Sequence, residues 1–138
     1  MLGPIPAWRG RPIFVVRRTP EALEALPTIN NQLQDPESNQ PEQPDYARNI
    51  YRSRDPEVLV LIGVCPHLGC SPAPRLAIRP EPFEANWKGG FFCACHGSKF
   101  DIAGRVYNNS PASRNMEVPP HYYETDNVLV IGEDEETA

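Results

Sequence analysis

All four cysteines of the chain stand in two short runs, Cys65-Pro66-His67-Leu68-Gly69-Cys70 and Cys93-Ala94-Cys95-His96-Gly97-Ser98. Two of the three histidines stand with them. Thiolate and imidazole are transition-metal ligands, and gathering them into two loops is what a metal centre requires. The first run reads Cys-x-His and the second carries Cys-x-x-His, so Cys65, His67, Cys93 and His96 form a candidate ligand set. Cys70 and Cys95 are then left over. A two-iron, two-sulfide cluster fits this arithmetic, with two thiolates on one iron and two imidazoles on the other. The same four residues also satisfy a tetrahedral zinc site, although structural zinc sites usually leave no spare thiols. Two structural disulfides with incidental histidines make a third reading, since four cysteines can pair in several ways.

The residues around the ligands have roles in a cluster site. Hydrogen bonds to the sulfurs, net charge and exposure set the reduction potential. Gly69 and Gly97 permit tight turns that aim backbone N–H groups at the cluster. Ser98 stands where its hydroxyl donates to a bridging sulfide, or else bonds its own backbone in a turn. Neutral imidazoles in place of anionic thiolates raise the potential, into a range of about −150 to +300 mV. The far ring nitrogens of His67 and His96 can hold protons whose release is linked to the electron count. Electron transfer would then couple to proton transfer.

The chain has 138 residues, enough for one domain with its own core. Its 17 prolines argue against long helices and for strands joined by ordered loops. No apolar run approaches the ~18 residues of a membrane span, and the longest, Val58 to Val64, is strand-length. No signal-like segment opens the chain. The net charge is −5, and Glu133, Asp134, Glu135 and Glu136 account for most of it, so nothing is basic enough for nucleic acid. The acidic tail, 133–138, reads as a solvated end.

The elements that must position the two runs read mostly as strands. Arg11 to Arg18 is the first, with Ile13, Phe14, Val15 and Val16 as its buried middle. Thr19-Pro20-Glu21 starts one short helix, with a hydroxyl cap, a proline in the first turn and an early acid, and it ends near Leu26-Pro27. Asp35 to Pro56 reads as a surface loop. Glu57 to Gly63 is a buried strand leading into the first ligand run, and Ser71 to Lys88 is a long proline-bearing excursion. Gly90-Phe91-Phe92 delivers the second run, and Gly104 to Tyr107 continues the sheet after a turn at Asp101 to Ala103. Tyr122 to Glu124 and Val128 to Ile131 flank Thr125-Asp126-Asn127 as a hairpin. The expectation is a mainly antiparallel β domain over 1–138, with a cluster-binding subdomain at about 64–110.

These runs resemble those of the Rieske iron–sulfur proteins, and the extra cysteine in each run narrows the resemblance to the disulfide-bearing subunits of cytochrome bc complexes. Rieske ferredoxins and ring-hydroxylating oxygenases lack that cysteine pair. The resemblance extends over Trp8-Arg9-Gly10-Arg11-Pro12, Arg17-Arg18-Thr19-Pro20, Gln43-Pro44-Asp45-Tyr46-Ala47-Arg48 and Gly90-Phe91-Phe92. It continues through Lys99-Phe100-Asp101, Ala103-Gly104-Arg105-Val106 and Val118-Pro119-Pro120. It implies a Rieske-type antiparallel β sandwich or barrel holding one 2Fe-2S cluster. Cys65 and Cys93 are implied as thiolate ligands, His67 and His96 as imidazole ligands, and Cys70–Cys95 as a disulfide joining the loops. His96 resembles the ligand that hydrogen-bonds quinol at cytochrome b, while Leu68 resembles the apolar shield and Pro111 belongs to the loop covering the cluster at that docking surface. The implied activity is that of the redox subunit of a quinol–cytochrome c reductase, taking one electron from quinol and passing it to a c-type cytochrome. A disulfide implies an oxidising compartment, here the periplasmic face of a bacterial membrane. The family carries an N-terminal transmembrane anchor, and this chain is expected to be a soluble head that starts just after it. An electron-transfer subunit of another periplasmic oxidoreductase, such as arsenite oxidase, is the alternative, with a zinc-stabilised module behind it.

Three positions depart from the family pattern. Relatives with the highest potentials often carry tyrosine where Phe100 stands, so a lower potential is expected here. The covering loop usually reads Gly-x-Pro-Ala-Pro, whereas this chain has Asn109-Ser110-Pro111-Ala112-Ser113. Asn is the best substitute for glycine if position 109 needs a positive φ. Pro66 replaces the usual threonine, removing a hydroxyl and a backbone donor. His121 is expected to be structural or at the surface rather than a ligand, and Trp8 and Trp87 to be core or loop anchors.

Overall fold

The computed structural model describes residues 7–66 and 69–132, so His67, Leu68 and the acidic tail 133–138 lie outside the described residues. The run Ile13-Phe14-Val15-Val16, three β-branched residues and one aromatic, makes β2, Arg11–Arg17, which pairs antiparallel with β3, Val58–Ile62, in a register from Ile13↔Ile62 to Arg17↔Val58. Side chains alternate across the pair. Phe14, Val16, Leu59 and Leu61 enter the main core, while Ile13, Val60 and Ile62 face a second cluster that includes Leu129 and Ile131. Those last two belong to β8, Val128–Ile131, which forms a hairpin with β7, His121–Thr125, as the turn residues predict. The short β1, Ala7–Trp8, extends the β2–β3 sheet.

The helix α1, Pro20–Ala25, begins as its sequence dictates: Thr19 Oγ accepts from the Ala22 N–H at 3.1 Å, and proline occupies the first turn. It is only six residues long and tightens into a 3-10 helix, Leu26–Gln32. The sheet that carries the second ligand run comprises β4, Ala73–Arg75, β5, Gly90–Cys93, and β6, Ser98–Asp101, in that order.

Three expectations are corrected here. Part of the Ser71–Lys88 excursion is β4, paired antiparallel with β5; Pro74, which cannot donate to a ladder, sits on this edge strand. The strand after the second run is Ser98–Asp101 rather than 104–107, where only single bridges, Phe100↔Val106 and Leu33↔Tyr107, form. Finally, 35–56 is not simply a surface loop, because Ser38, Ala47, Arg52 and Ser53 are buried. Arg52 draws that segment inward by donating to the Ala103 carbonyl at 3.0 Å and to Gln43 Oε1 at 3.1 Å. Burial pulls the Arg52 guanidinium down to about 10, against the nearby Asp101 carboxylate, and leaves it charged at neutral pH.

Candidate metal centre

The second ligand run is the turn of the β5–β6 hairpin, where Cys93 is paired with Ser98 across the ladder. The Gly97 N–H closes the turn on the Cys93 carbonyl at 2.8 Å. The first run leaves β3 through Gly63 and Val64 and repeats the device: the Gly69 N–H closes on the Cys65 carbonyl at 3.1 Å. Both glycines are left-handed, with φ of +79° at Gly69 and +85° at Gly97, and a Cβ at either would meet nothing within 4 Å. Backbone handedness, not crowding, therefore demands glycine at both places. The two glycine amides are themselves engaged in closing the turns.

Cys70 and Cys95 form a disulfide that joins the loops, with a Cα–Cα distance of 6.6 Å. The Cys93 sulfur lies within 4.8 Å of both of theirs. Those two sulfurs are committed to each other, which leaves Cys93 as the thiol of that group outside the disulfide. Cys65 and Cys93 are each only 2% exposed, whereas His96 is exposed at the tip. Two buried thiols on facing loops, with an imidazole beside the exposed edge, have the donor chemistry of a mixed thiolate–imidazole iron–sulfur site. His67 and Leu68, read from the sequence as ligand and shield, lie outside the described residues.

Ser98, Phe100 and the covering-loop residues have distinct settings. Ser98 is fully buried, and its Oγ accepts from the Ala112 N–H at 3.0 Å, so the hydroxyl proton remains to be donated elsewhere. Phe100 is fully buried in the core two residues on. Asn109 has φ +65°, as expected of a glycine substitute, while Pro111 is exposed and Ala112 buried. A further tie between this loop and β6, in which Ser110 Oγ accepts from the Lys99 N–H at 3.1 Å, was missed from the sequence. A lone loop serine carries no pattern that would have flagged it.

The family model of the Rieske [2Fe-2S] domain matches residues 30–121. The chain belongs to this family. It is 51% identical over 131 residues to the ubiquinol-cytochrome c reductase iron-sulfur subunit of Allochromatium vinosum, covering 95% of this chain and 63% of that protein. It is 40% identical over 126 residues to the mitochondrial cytochrome b-c1 complex subunit Rieske-3 of Nicotiana tabacum, covering 91% of this chain and 40% of that one. A solved chain described as "Hyperthermophilic respiratory Complex III" shares the fold, with a TM-score of 0.52 and 24% identity over 94% of this chain and 64% of that one. The chain thus spans less than two thirds of these curated relatives. The mainly antiparallel β fold with one short helix and the Cys70–Cys95 disulfide both agree with the resemblance. The cysteine site is consistent with one Rieske 2Fe-2S cluster. Among the described residues no helix is long and apolar enough to cross a membrane.

His121 is structural, as expected. It is buried, its Nδ1–H donates to the Pro119 carbonyl at 2.9 Å, and its backbone N–H donates to the Tyr46 hydroxyl at 2.8 Å. Trp87 is buried and donates its indole N–H to the Arg75 carbonyl at 2.8 Å, anchoring the excursion.

Proposed function

We propose that this chain is the electron-transfer subunit of a quinol–cytochrome c reductase, with Cys65 and Cys93 holding one iron of a 2Fe-2S cluster and His67 and His96 the other. When bound, the cluster supplies a one-electron acceptor of raised potential. The protein residues supply the rest. Cys65 and Cys93 anchor from the buried side, so water is kept from the thiolates. His96 presents its outer ring nitrogen at the exposed tip, where it accepts a hydrogen bond from a quinol seated in a cytochrome b partner and takes up its proton. Pro111, which is exposed, and Leu68, by its resemblance to the family's shielding residue, would supply the apolar contacts of that docking surface. The cluster's one electron leaves to a c-type cytochrome, and the quinol's second electron passes to the cytochrome b partner. The proton taken by His96 is released on the periplasmic face of the membrane, with His67 the other protonatable ligand.

The observation that carries this reading is the pair of buried thiols on glycine-turned loops, locked together by Cys70–Cys95, with His96 exposed beside them. A pH-resolved redox titration with visible circular dichroism tests it. The expected result is a positive midpoint that falls as pH rises from neutral to alkaline. A strongly negative, pH-independent midpoint would assign the chain to a ferredoxin-like carrier, and a colourless, zinc-loaded protein would overturn the cluster altogether.

A further inference from the structure

We propose that Gln34 is a positioning residue for the metal centre, acting as a clamp on the loop that covers it. The Gln34 side-chain nitrogen donates to the Tyr107 carbonyl at 3.1 Å and to the Ala112 carbonyl at 3.0 Å. One primary amide thus ties together the two ends of the segment 107–112, with each of its hydrogens assigned to one end. The backbone beneath is already docked. The Gln34 N–H donates to the Val106 carbonyl at 3.0 Å, and the Asn108 N–H donates to the Gln32 carbonyl at 2.8 Å. The side chain therefore has little conformational freedom left to lose when it bridges the loop ends.

On its other side the same loop is tied to β6. Ala112 donates to Ser98 Oγ at 3.0 Å, and Ser110 Oγ accepts from the Lys99 N–H at 3.1 Å. Ser98 directly follows His96-Gly97 and is fully buried. An acceptor bond from Ala112 turns the Ser98 proton away from the covering loop, and that leaves it to be donated toward the cluster side. Gln34 thus sets where Ala112 sits, and Ala112 sets how the Ser98 hydroxyl is aimed. The redox part of this inference rests on the function proposed above. Few side chains could replace Gln34: Glu has the same shape but only acceptors, Asn is one methylene shorter, and of the longer side chains only Arg and Lys carry two donors at comparable reach, Arg in a planar fork.

The test compares the cluster-loaded full chain with Gln34→Ala, Gln34→Glu and Gln34→Arg, by amide hydrogen exchange, midpoint potential and thermal unfolding. Gln34 is exposed, so its removal leaves no cavity in the core. In Gln34→Ala the Ala112 and Lys99 amides should exchange about five- to tenfold faster, as expected for losing a hydrogen bond of ordinary strength. The midpoint should fall while the unfolding temperature barely moves. Gln34→Glu should shift both at least as far, and Gln34→Arg should restore both. In a Ser98→Ala background, Gln34→Ala should no longer move the midpoint, because the coupling runs through that hydroxyl. Unchanged exchange in Gln34→Ala and Gln34→Glu would overturn the clamp. Faster exchange at an unchanged midpoint would overturn the positioning of Ser98. A wild-type protein without a cluster would refute the proposed function instead, and the exchange measurement would still decide whether Gln34 holds the loop.

Discussion

At its Gly90–Asp101 end, the β5–β6 hairpin is surrounded by buried charge, whereas its Cys93–Ser98 end is held by a covalent bond and two left-handed glycines. Asp101 accepts from the Ala103 and Arg105 backbone N–H groups at 2.9 and 2.8 Å and from Arg105 Nε at 2.7 Å. Arg105 in turn donates to Asn30 Oδ1 and to the Leu26 and Pro36 carbonyls. Arg18 and Arg52 arrive from other segments to bond the Ile102 and Ala103 carbonyls. At the far end, among the described residues, a disulfide takes the place of such a network. The contrast is one of purpose. A base that only needs rigidity can commit most of its donors internally, whereas at the tip the two loops are also joined covalently. A covalent link holds the loops together without consuming donors.

Breaking the base should have the larger effect on stability. Arg105→Ala strands the Asp101 carboxylate, which is 1% exposed, among buried groups and should cost about 3–5 kcal/mol in denaturant unfolding. A loss under about 1 kcal/mol would show that Asp101 is solvated despite its burial. Breaking the tip comes next: Cys70→Ser with Cys95→Ser opens a link across a sequence separation of 25 and should cost about 3 kcal/mol by loop entropy. This pair should also alter the visible circular dichroism of the cluster, a signal that Arg105→Ala should change only if the whole fold loosens. Equal spectral effects from both would erase the distinction between the two ends.

What the sequence made legible follows the same divide. The ligand runs, the Thr19 cap and the β7–β8 turn depend on neighbours a few residues away, and each could be read directly. The base could not. Arg18 reaches the Ile102 carbonyl across 84 residues and Arg105 reaches Leu26 across 79, so neither leaves a local periodicity. A charged, proline-bearing stretch such as 35–56 therefore looks like solvent-facing loop until Arg52 is seen to be buried. Strand β4 escaped for a related reason, since Pro72 just before it and Pro74 within it mask a short edge strand. The Gln34 clamp is equally silent, being an exposed polar residue whose meaning lies 73 and 78 positions downstream.

The response to acid should sharpen the comparison further. Burial holds His121 below the usual histidine range, opposed by its bond to the Pro119 carbonyl and reinforced by the Arg54 charge. The folded state therefore binds this proton less readily than the unfolded chain. Stability contributed by neutral His121 should be present above about pH 6.5 and be lost as pH falls below it. His121→Gln should flatten that part of the pH profile in thermal unfolding. A slope that survives the substitution would place the acid sensitivity elsewhere.

The finest test sits midway along the hairpin, where Phe100 pairs with Phe91 and is fully buried. Phe100→Tyr adds a hydroxyl to a site between the charged, hydrogen-bonded base and the disulfide-held tip. If that hydroxyl reaches a ligand sulfur, the midpoint should rise and stability should change little, because the new polar group is hydrogen-bonded. If it stays in the apolar layer instead, the midpoint should hold and unfolding should show the cost of an unmatched buried hydroxyl, about 1–3 kcal/mol. The two readouts thus move in opposition. Their outcome locates, to within one side chain, where the hairpin stops being scaffold and starts to tune the cluster.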